Sequence, residues 1–297
     1  MSLYWLGIRP LPVPFSFTIS QMTFVVIVTG CSSGGIGSAL CEEFAAQGCK
    51  VYATARDPAK MEGFSHPLIE KHVLDVTNDE DVRRVIQQIA EHEGKIDIVV
   101  NNAGTGAPGA ILDQTIENIQ KTFDINTFAI LRVCKAVLPF MAKRKKGLFI
   151  NVGSVVGDVF ERPVPWNGLY SATKAATHMI SEVLSMECRP FGIAVMNVVP
   201  GSVVSHISNN MTSNFSIPED SLYSAFLPNM IKRIYASQAG NSMPSAKFAK
   251  AVVSKALSKH PPLRFAYGGN STAFAIFRWL PRALVLGYMW RLYSKRM

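Results

Sequence analysis

The sequence predicts an α/β fold, a doubly wound parallel sheet of about seven strands in a single domain. Three observations carry that prediction. β-branched and apolar runs alternate with helical stretches of about ten or more residues, the spacing that parallel strands with crossover helices require. The first strand runs straight into the small-residue loop TGCSSGGIG (29–37), which opens into a helix. At 297 residues and 48% hydrophobic content, undivided by repeats or low-complexity segments, the chain can bury one large core.

Each element follows in order. Residues 24–29 read as a buried strand, and 38–47 continue as a helix that stops at Gly48. Residues 50–55 (KVYATA) form strand two and 72–76 strand three. Asn78 or Asp79 caps the helix DVRRVIQQIAEH, which ends at Gly94. Residues 96–100 (IDIVV) are strand four, followed by NNAG. A long helical stretch over 115–145 closes in the basic cluster 143–146, where cations complement the helix dipole as a solvated C-terminus. LFINVGS supplies strand five, 170–187 a helix, IAVMNVV strand six, AKFAKAVVSKALSK a further helix and LRFAYG strand seven. Between strand six and that helix lies a loop, 202–243, placed to cover a substrate. Met211, Phe215, Leu222, Phe226, Leu227 and Ile231 make it apolar, which suits a lipid-like or otherwise apolar ketone better than a sugar.

The formal charge of +9 is unevenly spread: no Asp or Glu follows Asp220. An anionic surface near the C-terminus would match this bias. Nucleic acid is not the expected partner, because the chain carries neither a recognition motif nor an interleaved aromatic platform. Five cysteines, odd in number and without paired spacing, predict no metal site and reduced thiols in an intracellular protein.

The glycine loop places backbone N–H groups and a helix N-terminus where a pyrophosphate can bind. It holds one residue more than T-G-x-x-x-G-x-G, so Gly34 or Gly35 is the insertion; glycine adds no side chain against the phosphates and tolerates positive φ. Strand two ends Thr54-Ala55-Arg56-Asp57. A carboxylate there would bind a ribose 2′-OH, whereas a guanidinium suits a 2′-phosphate. Arg56 comes first and Asp57 opens the turn at Pro58, which favours NADP(H). In Tyr170-Ser171-Ala172-Thr173-Lys174 the phenol and ammonium share one helix face, and a nearby cation lowers a phenol's pKa towards the range a proton donor needs. Ser154 follows strand five, where its hydroxyl could reach a substrate carbonyl. Asn126, amid apolar neighbours, is either a satisfied core amide or a water-holding group of a proton relay.

Taken together and in this order, TGCSSGGIG, Asp75 in LDV, NNAG at 101–104, Asn126, Ser154, YSATK and Pro200-Gly201 resemble the short-chain dehydrogenase/reductase family over about 23–205. The resemblance implies a Rossmann-type domain and nicotinamide chemistry. It assigns Tyr170 as proton donor in carbonyl reduction, Lys174 as the residue that lowers its pKa and holds the ribose, Ser154 as carbonyl orienter and Asn126 as anchor of the relay water. Gly30, Ile36 and Gly37 would line the pyrophosphate, Asp75 the adenine and Asn102 the adenosine ribose. Thr54 and Arg56 match the ribose-phosphate end, Val203 and Ser205 the nicotinamide amide, and Lys135 a position that is frequently basic in such enzymes. Within the family the chain is similar to fungal NADPH-dependent reductases of 1-acyldihydroxyacetone phosphate. Ketoreductases of secondary metabolism share those softer matches, and a hydroxysteroid-type dehydrogenase or a non-catalytic NADP-binding regulator are the rival readings.

Three regions are therefore expected: an extension over 1–21, broken by prolines and unlike a signal peptide; the NADP-binding domain over 22–269; and a tail over 270–297. The tail combines Phe274, Phe277, Trp279, Leu280, Trp290 and Tyr293 with Arg278, Arg282, Arg291, Lys295 and Arg296, and contains no acid. Two arginines and a proline spoil it as a spanning helix. It reads either as an interfacial element on the endoplasmic reticulum or a lipid droplet, or as a flap over the pocket or a dimer contact in a cytoplasmic enzyme.

Overall fold

The computed structural model describes residues 23–294 except 159–162, 206, 213–214, 239, 241, 270 and 272–275. The extension over 1–21 lies outside the described residues, as do Phe274, Lys295 and Arg296 of the tail. Seven parallel strands, β1 (Val25–Thr29), β2 (Lys50–Ala55), β3 (Ile69–Val73), β4 (Ile98–Asn101), β5 (Gly147–Val152), β6 (Ile193–Pro200) and β7 (Arg264–Tyr267), lie in the order β3-β2-β1-β4-β5-β6-β7. The order reverses between β1 and β4, so the loops leaving those two strands diverge and open a crevice at the carboxyl edge of the sheet.

Helices cover both faces. On one, α1 (Ile36–Ala46) and the later Ser245–Ala256 pack Leu40, Phe44, Phe248 and Val252 against the even-numbered residues of β1, Val26 and Val28. On the other, α2 (Asp79–Glu93) and α4 (Ala129–Arg144) bury Val85, Ile89, Val133 and Val137 against Val25, Ile27 and Val99. A strand buried on both faces must be apolar throughout, which is why VVIVT shows no alternation. Asn78 caps α2, its Oδ1 accepting from the amides of Glu80 and Asp81 at 2.9 Å, and Gly94 ends it in the left-handed region. The expected 115–145 helix is α3 (Ile116–Phe123) and α4 joined through a π-helical turn at Asp124–Phe128. It is long and apolar enough to cross a membrane, yet it serves here as a core helix.

Some boundaries shift. Strand three begins three residues earlier than predicted and stops at Val73, because only Ile69–Val73 pairs with β2. Leu74 and Val76, which look like strand continuation, are buried in the turn that follows and leave Asp75 at the crevice. Strand four starts two residues late, because Asp97 serves as an anchor: its Oδ2 accepts from the Val25 amide at 2.9 Å, and Arg144 bridges its Oδ1 at 2.7 Å. Arg144 therefore leaves the solvated basic cluster and ties α4 to the sheet.

Among the described residues, the remaining α-helices are α5 (Gly168–Glu187), α6 (Ile207–Thr212), α7 (Leu227–Tyr235), α8 (Ser245–Ala256) and α9 (Arg282–Tyr293). The covering loop thus contains α6 and α7. α9 is not a detached tail: Val285, Met289 and Tyr293, spaced four apart, join Val155, Val156, Trp166 and Met230 in a third apolar cluster beside the crevice.

Candidate active site

Beyond Thr29 the chain turns through Gly30 at φ 72°, and a Cβ there would lie 2.7 Å from the Ala103 Cα. Gly34, at φ 70°, absorbs the loop's extra residue in a conformation that only glycine takes cheaply. Gly37 allows a close approach rather than facing the crevice: its Cβ would stand 2.6 Å from both Asn102 Nδ2 and the Gly30 carbonyl oxygen. Asn102 Nδ2 donates to the carbonyls of Thr29 and Gly30 at 2.8 and 3.0 Å, and Thr29 Oγ1 accepts from the amides of Asn102 and Ala103 at 3.1 Å. NNAG is therefore the brace that shapes the glycine loop. The first turn of α1 has neither an acidic residue nor a side-chain cap, so its amides and the positive end of its dipole remain directed at the crevice.

The crevice measures about 1740 Å³, more than the 300–1,000 Å³ that one small ligand needs, and so has room for a dinucleotide and a substrate together. Of the sequence-derived cofactor residues, Gly30, Ile36, Arg56, Asp75, Asn102, Val203 and Ser205 line it. Asp57 is committed elsewhere, accepting from the Ala59 amide at 3.0 Å to cap the turn at Pro58–Lys60. That leaves the exposed guanidinium of Arg56, joined by Lys60, at this end of the crevice. Asp75 Oδ1 accepts from the amide and hydroxyl of Thr77 at 2.9 and 2.7 Å, which fixes its carboxylate at the rim.

Besides Gly37, expected at the pyrophosphate and found outside the crevice lining, two further assignments are corrected. The Thr54 side chain is fully buried and its hydroxyl donates to the Val28 carbonyl at 3.1 Å, so it staples β2 to β1 and does not reach the crevice. Lys135 stands on the solvent face of α4, one residue past buried Cys134 and outside the crevice.

Tyr170, Lys174 and Ser154 converge. Ser154 caps the short turn Val155–Gly157 and lines the crevice with Tyr170, near enough for its hydroxyl to act on the phenol, while its amide donates to His178 Nε2 at 3.3 Å. The Lys174 ammonium sits 5.7 Å from the centre of the Tyr170 ring and donates to the Val152 carbonyl at 2.7 Å. Burial pushes the phenol up; the Ser154 hydroxyl and the charge of Arg233 pull it back. Lys174 itself is driven down by burial to about 8. On balance the phenol stands above its ordinary value, so the lowering expected from its helix neighbour is not met; the counter-effects come from Ser154 first and Arg233 on α7 second. Asn126 lies on the π-helical turn, fully buried. Its Oδ1 accepts from the Thr105 amide at 2.8 Å, and its Nδ2 donates to the Thr105 carbonyl and Thr173 Oγ1 at 2.9 and 3.0 Å. Its amide is the satisfied core group of the two alternatives, clamping the loop after NNAG onto α5, and its backbone carbonyl accepts from Thr177 Oγ1 at 3.2 Å.

This is the site of an oxidoreductase: an amide-lined phosphate cradle opening onto a tyrosine–serine–lysine cluster. The chain belongs to the short-chain dehydrogenase/reductase family, matching the family model for short chain dehydrogenases over residues 24–215. It is 33% identical over 245 residues to a 3-ketodihydrosphingosine reductase of Bacteroides thetaiotaomicron, covering 82% of this chain and 87% of that protein. It is 35% identical over 202 residues to an NADPH-dependent 1-acyldihydroxyacetone phosphate reductase of Schizosaccharomyces pombe, covering 67% of each. The crystal structure of a short-chain dehydrogenase from Streptomyces avermitilis superposes with a TM-score of 0.75 at 29% identity, covering 92% of this chain and 98% of that one.

Proposed function

We propose that this protein uses NADPH to reduce the ketone of an apolar, lipid-like substrate such as 1-acyldihydroxyacetone phosphate. The observation that carries the reading is the Tyr170–Ser154 pair at one end of a crevice whose other end presents Arg56. The fungal relative's name supports both the cofactor and the substrate class. A bound reduced nicotinamide supplies the hydride. Ser154 and Tyr170 hydrogen-bond the carbonyl oxygen, and as it gains negative charge the Tyr170 O–H gives it the proton. Lys174 holds positive charge beside them and, by the family resemblance, the ribose. Trp166, Val155, Val156, Met211 and Tyr293 exclude water around the reacting carbon. Tyr170→Phe keeps the ring and loses only the transferable proton, so NADPH oxidation with a ketone substrate should fall at least 100-fold while NADPH affinity stays within a few-fold. Turnover above a hundredth of the unmodified rate would remove Tyr170 as the acid.

The same reading places the enzyme on the surface of the endoplasmic reticulum or a lipid droplet. In support, the side of α9 and its lead-in turned away from the core leaves Trp279 80% and Leu284 64% exposed, with Leu286 and Tyr288 beside them. Arg282 and Arg291 flank this face, and basic residues near an anionic surface add about 1 kcal/mol each. Flotation with anionic vesicles at low and high salt tests it. The unmodified chain should float at low salt, and a Trp279→Ser, Leu284→Ser, Leu286→Ser variant should stay behind. If both remain at the bottom, the enzyme is cytosolic.

A further inference from the structure

One wall of the substrate end pairs a glycine with a methionine seated on it. Gly106 and Met211 both line the crevice, and a Cβ on Gly106 would collide with Met211 Sδ and lie 2.5 Å from its Cγ. The thioether therefore fills the space that any larger residue at 106 would need. Neither backbone is free to step back. Beside Gly106, Thr105 is clamped to Asn126: its amide donates to Oδ1 at 2.8 Å and its carbonyl accepts from Nδ2 at 2.9 Å. Three residues on, the Gly109 amide donates to the Trp166 carbonyl at 2.9 Å. On the covering side Ser208, fully buried on α6, donates its hydroxyl to the Ile234 carbonyl of α7 at 2.8 Å. Just past α6, Phe215 packs over Gly109, its Cε2 3.3 Å from where a Cβ there would stand.

This contact lies close to the chemistry. A Cβ on Gly104 would stand 3.7 Å from Lys174 Nζ, and two residues of chain span at most about 7 Å, so Gly106 is near the reacting cluster. Met211 thus bounds, from the covering side, the space beside a carbonyl held at Tyr170. With both backbones held, the adjustable part of this wall is the unbranched thioether itself. Seated on Gly106 it leaves a slot along the crevice. Displaced from Gly106, it enters that slot.

Resting on the carbonyl-reductase reading, we propose that Met211, seated on Gly106, is a specificity-determining residue that limits the ketone to an unbranched substituent on the covering side. The substrate class is then a ketone whose carbonyl opens directly onto a straight chain. A ring or branch on the adjoining carbon meets a thioether that has no room to recede, and is rejected by that contact. The glycine matters as much as the methionine, because a side chain at 106 would take the thioether's place and drive it into the slot.

Calorimetry separates this assignment from the reduction itself. Full-length enzyme with the oxidised cofactor bound is titrated with 2-octanone and with cyclohexyl methyl ketone, which have equal carbon number and need no turnover. The unmodified enzyme should bind 2-octanone about tenfold or more tightly than the branched ketone. Met211→Ala should bring the two to within about threefold by improving the branched ketone. Gly106→Ala should weaken 2-octanone about tenfold, since the displaced thioether occupies its slot. With Met211→Ala already present, the added methyl at 106 finds its space empty, so Gly106→Ala should then change either affinity by less than about twofold. Equal binding of the two ketones by the unmodified enzyme, or an unchanged ratio in Met211→Ala, overturns the proposal. So does a Gly106→Ala variant that binds 2-octanone normally, or one whose loss persists in full without the methionine. None of these results bears on whether ketones are reduced, which NADPH oxidation measures separately.

Discussion

Arg56 and Asp57 are adjacent and of opposite charge, and the geometry decides between them. Asp57 spends a carboxylate oxygen on the Ala59 amide, so Arg56 is the residue available to a 2′-phosphate. Arg56→Asp should lower NADPH affinity at least tenfold and move the preference towards NADH, since each charge-assisted hydrogen bond is worth about 1.5–3 kcal/mol. An unchanged NADPH/NADH ratio of Kd values would mean that another group, with Lys60 the nearest candidate, reads the ribose. At this scale, legibility followed sequence locality. Tyr170 and Lys174 could be paired from their spacing because four residues on a helix is a fixed distance. Thr54 could not be removed from the site by pattern, since its partner is the Val28 carbonyl on a neighbouring strand. Asn126 stayed ambiguous for the same reason: Thr105, which satisfies its amide, is 21 residues away. Arg233 was invisible because only the packing of α7 brings it to Tyr170.

Among the elements, strands and helices followed their periodicity, and the misplacements came where a polar residue interrupts an apolar run. Asp97 and Asp75 both look like strand residues in sequence, yet one anchors the start of β4 and the other begins the turn after β3. The tail shows the limit of composition. Its residues read equally well as an interfacial helix or as a flap, and α9 has a face for each. Trp166 makes the join: at φ 64° it holds a left-handed conformation that costs a large side chain free energy, and its Nε1 donates to the Tyr293 carbonyl at 2.7 Å. Its ring stacks on Phe226 and lies 5.9 Å from Trp290. Ending the chain at Gly269 should therefore cost stability as well as any surface attachment. Burying Val285, Met289 and Tyr293 contributes on the order of 5 kcal/mol, an upper figure, so the melting temperature should drop by about 10 °C. Turnover of a water-soluble ketone should fall with it, because Tyr293 lines the crevice. A truncated enzyme with unchanged melting temperature and turnover would show that α9 supports neither the wall nor the core.

Over the whole molecule, the parallel sheet and the switch between β1 and β4 were the most legible features, because they follow from alternation and chain order alone. The environment they create was not legible: burial changes the proton affinity of groups that the sequence lists only as Lys or Cys. Lys174 falls from 10.5 to about 8. Between those values the unfolded chain holds a proton that the folded chain has released, so this lysine makes stability rise with pH, by about 2 kcal/mol from pH 7 to pH 9.5. The thiols act in the opposite sense. Burial raises Cys41 and Cys188, and lifts Cys49 and Cys134 to about 12, so as pH passes 9 the unfolded chain sheds protons that the folded chain keeps. The net curve therefore mixes a gain from the site with a loss from the core, and a single profile cannot separate them. Lys174→Met leaves the thiols in place and removes only the rising part. Urea unfolding of both proteins without cofactor at pH 7 and pH 9.5 should show the stability difference moving by about 2 kcal/mol in favour of the lysine at the higher pH. A difference that stays constant would mean that the Lys174 ammonium remains hydrated in the folded enzyme, and that the crevice around Tyr170 is wetter than its packing implies.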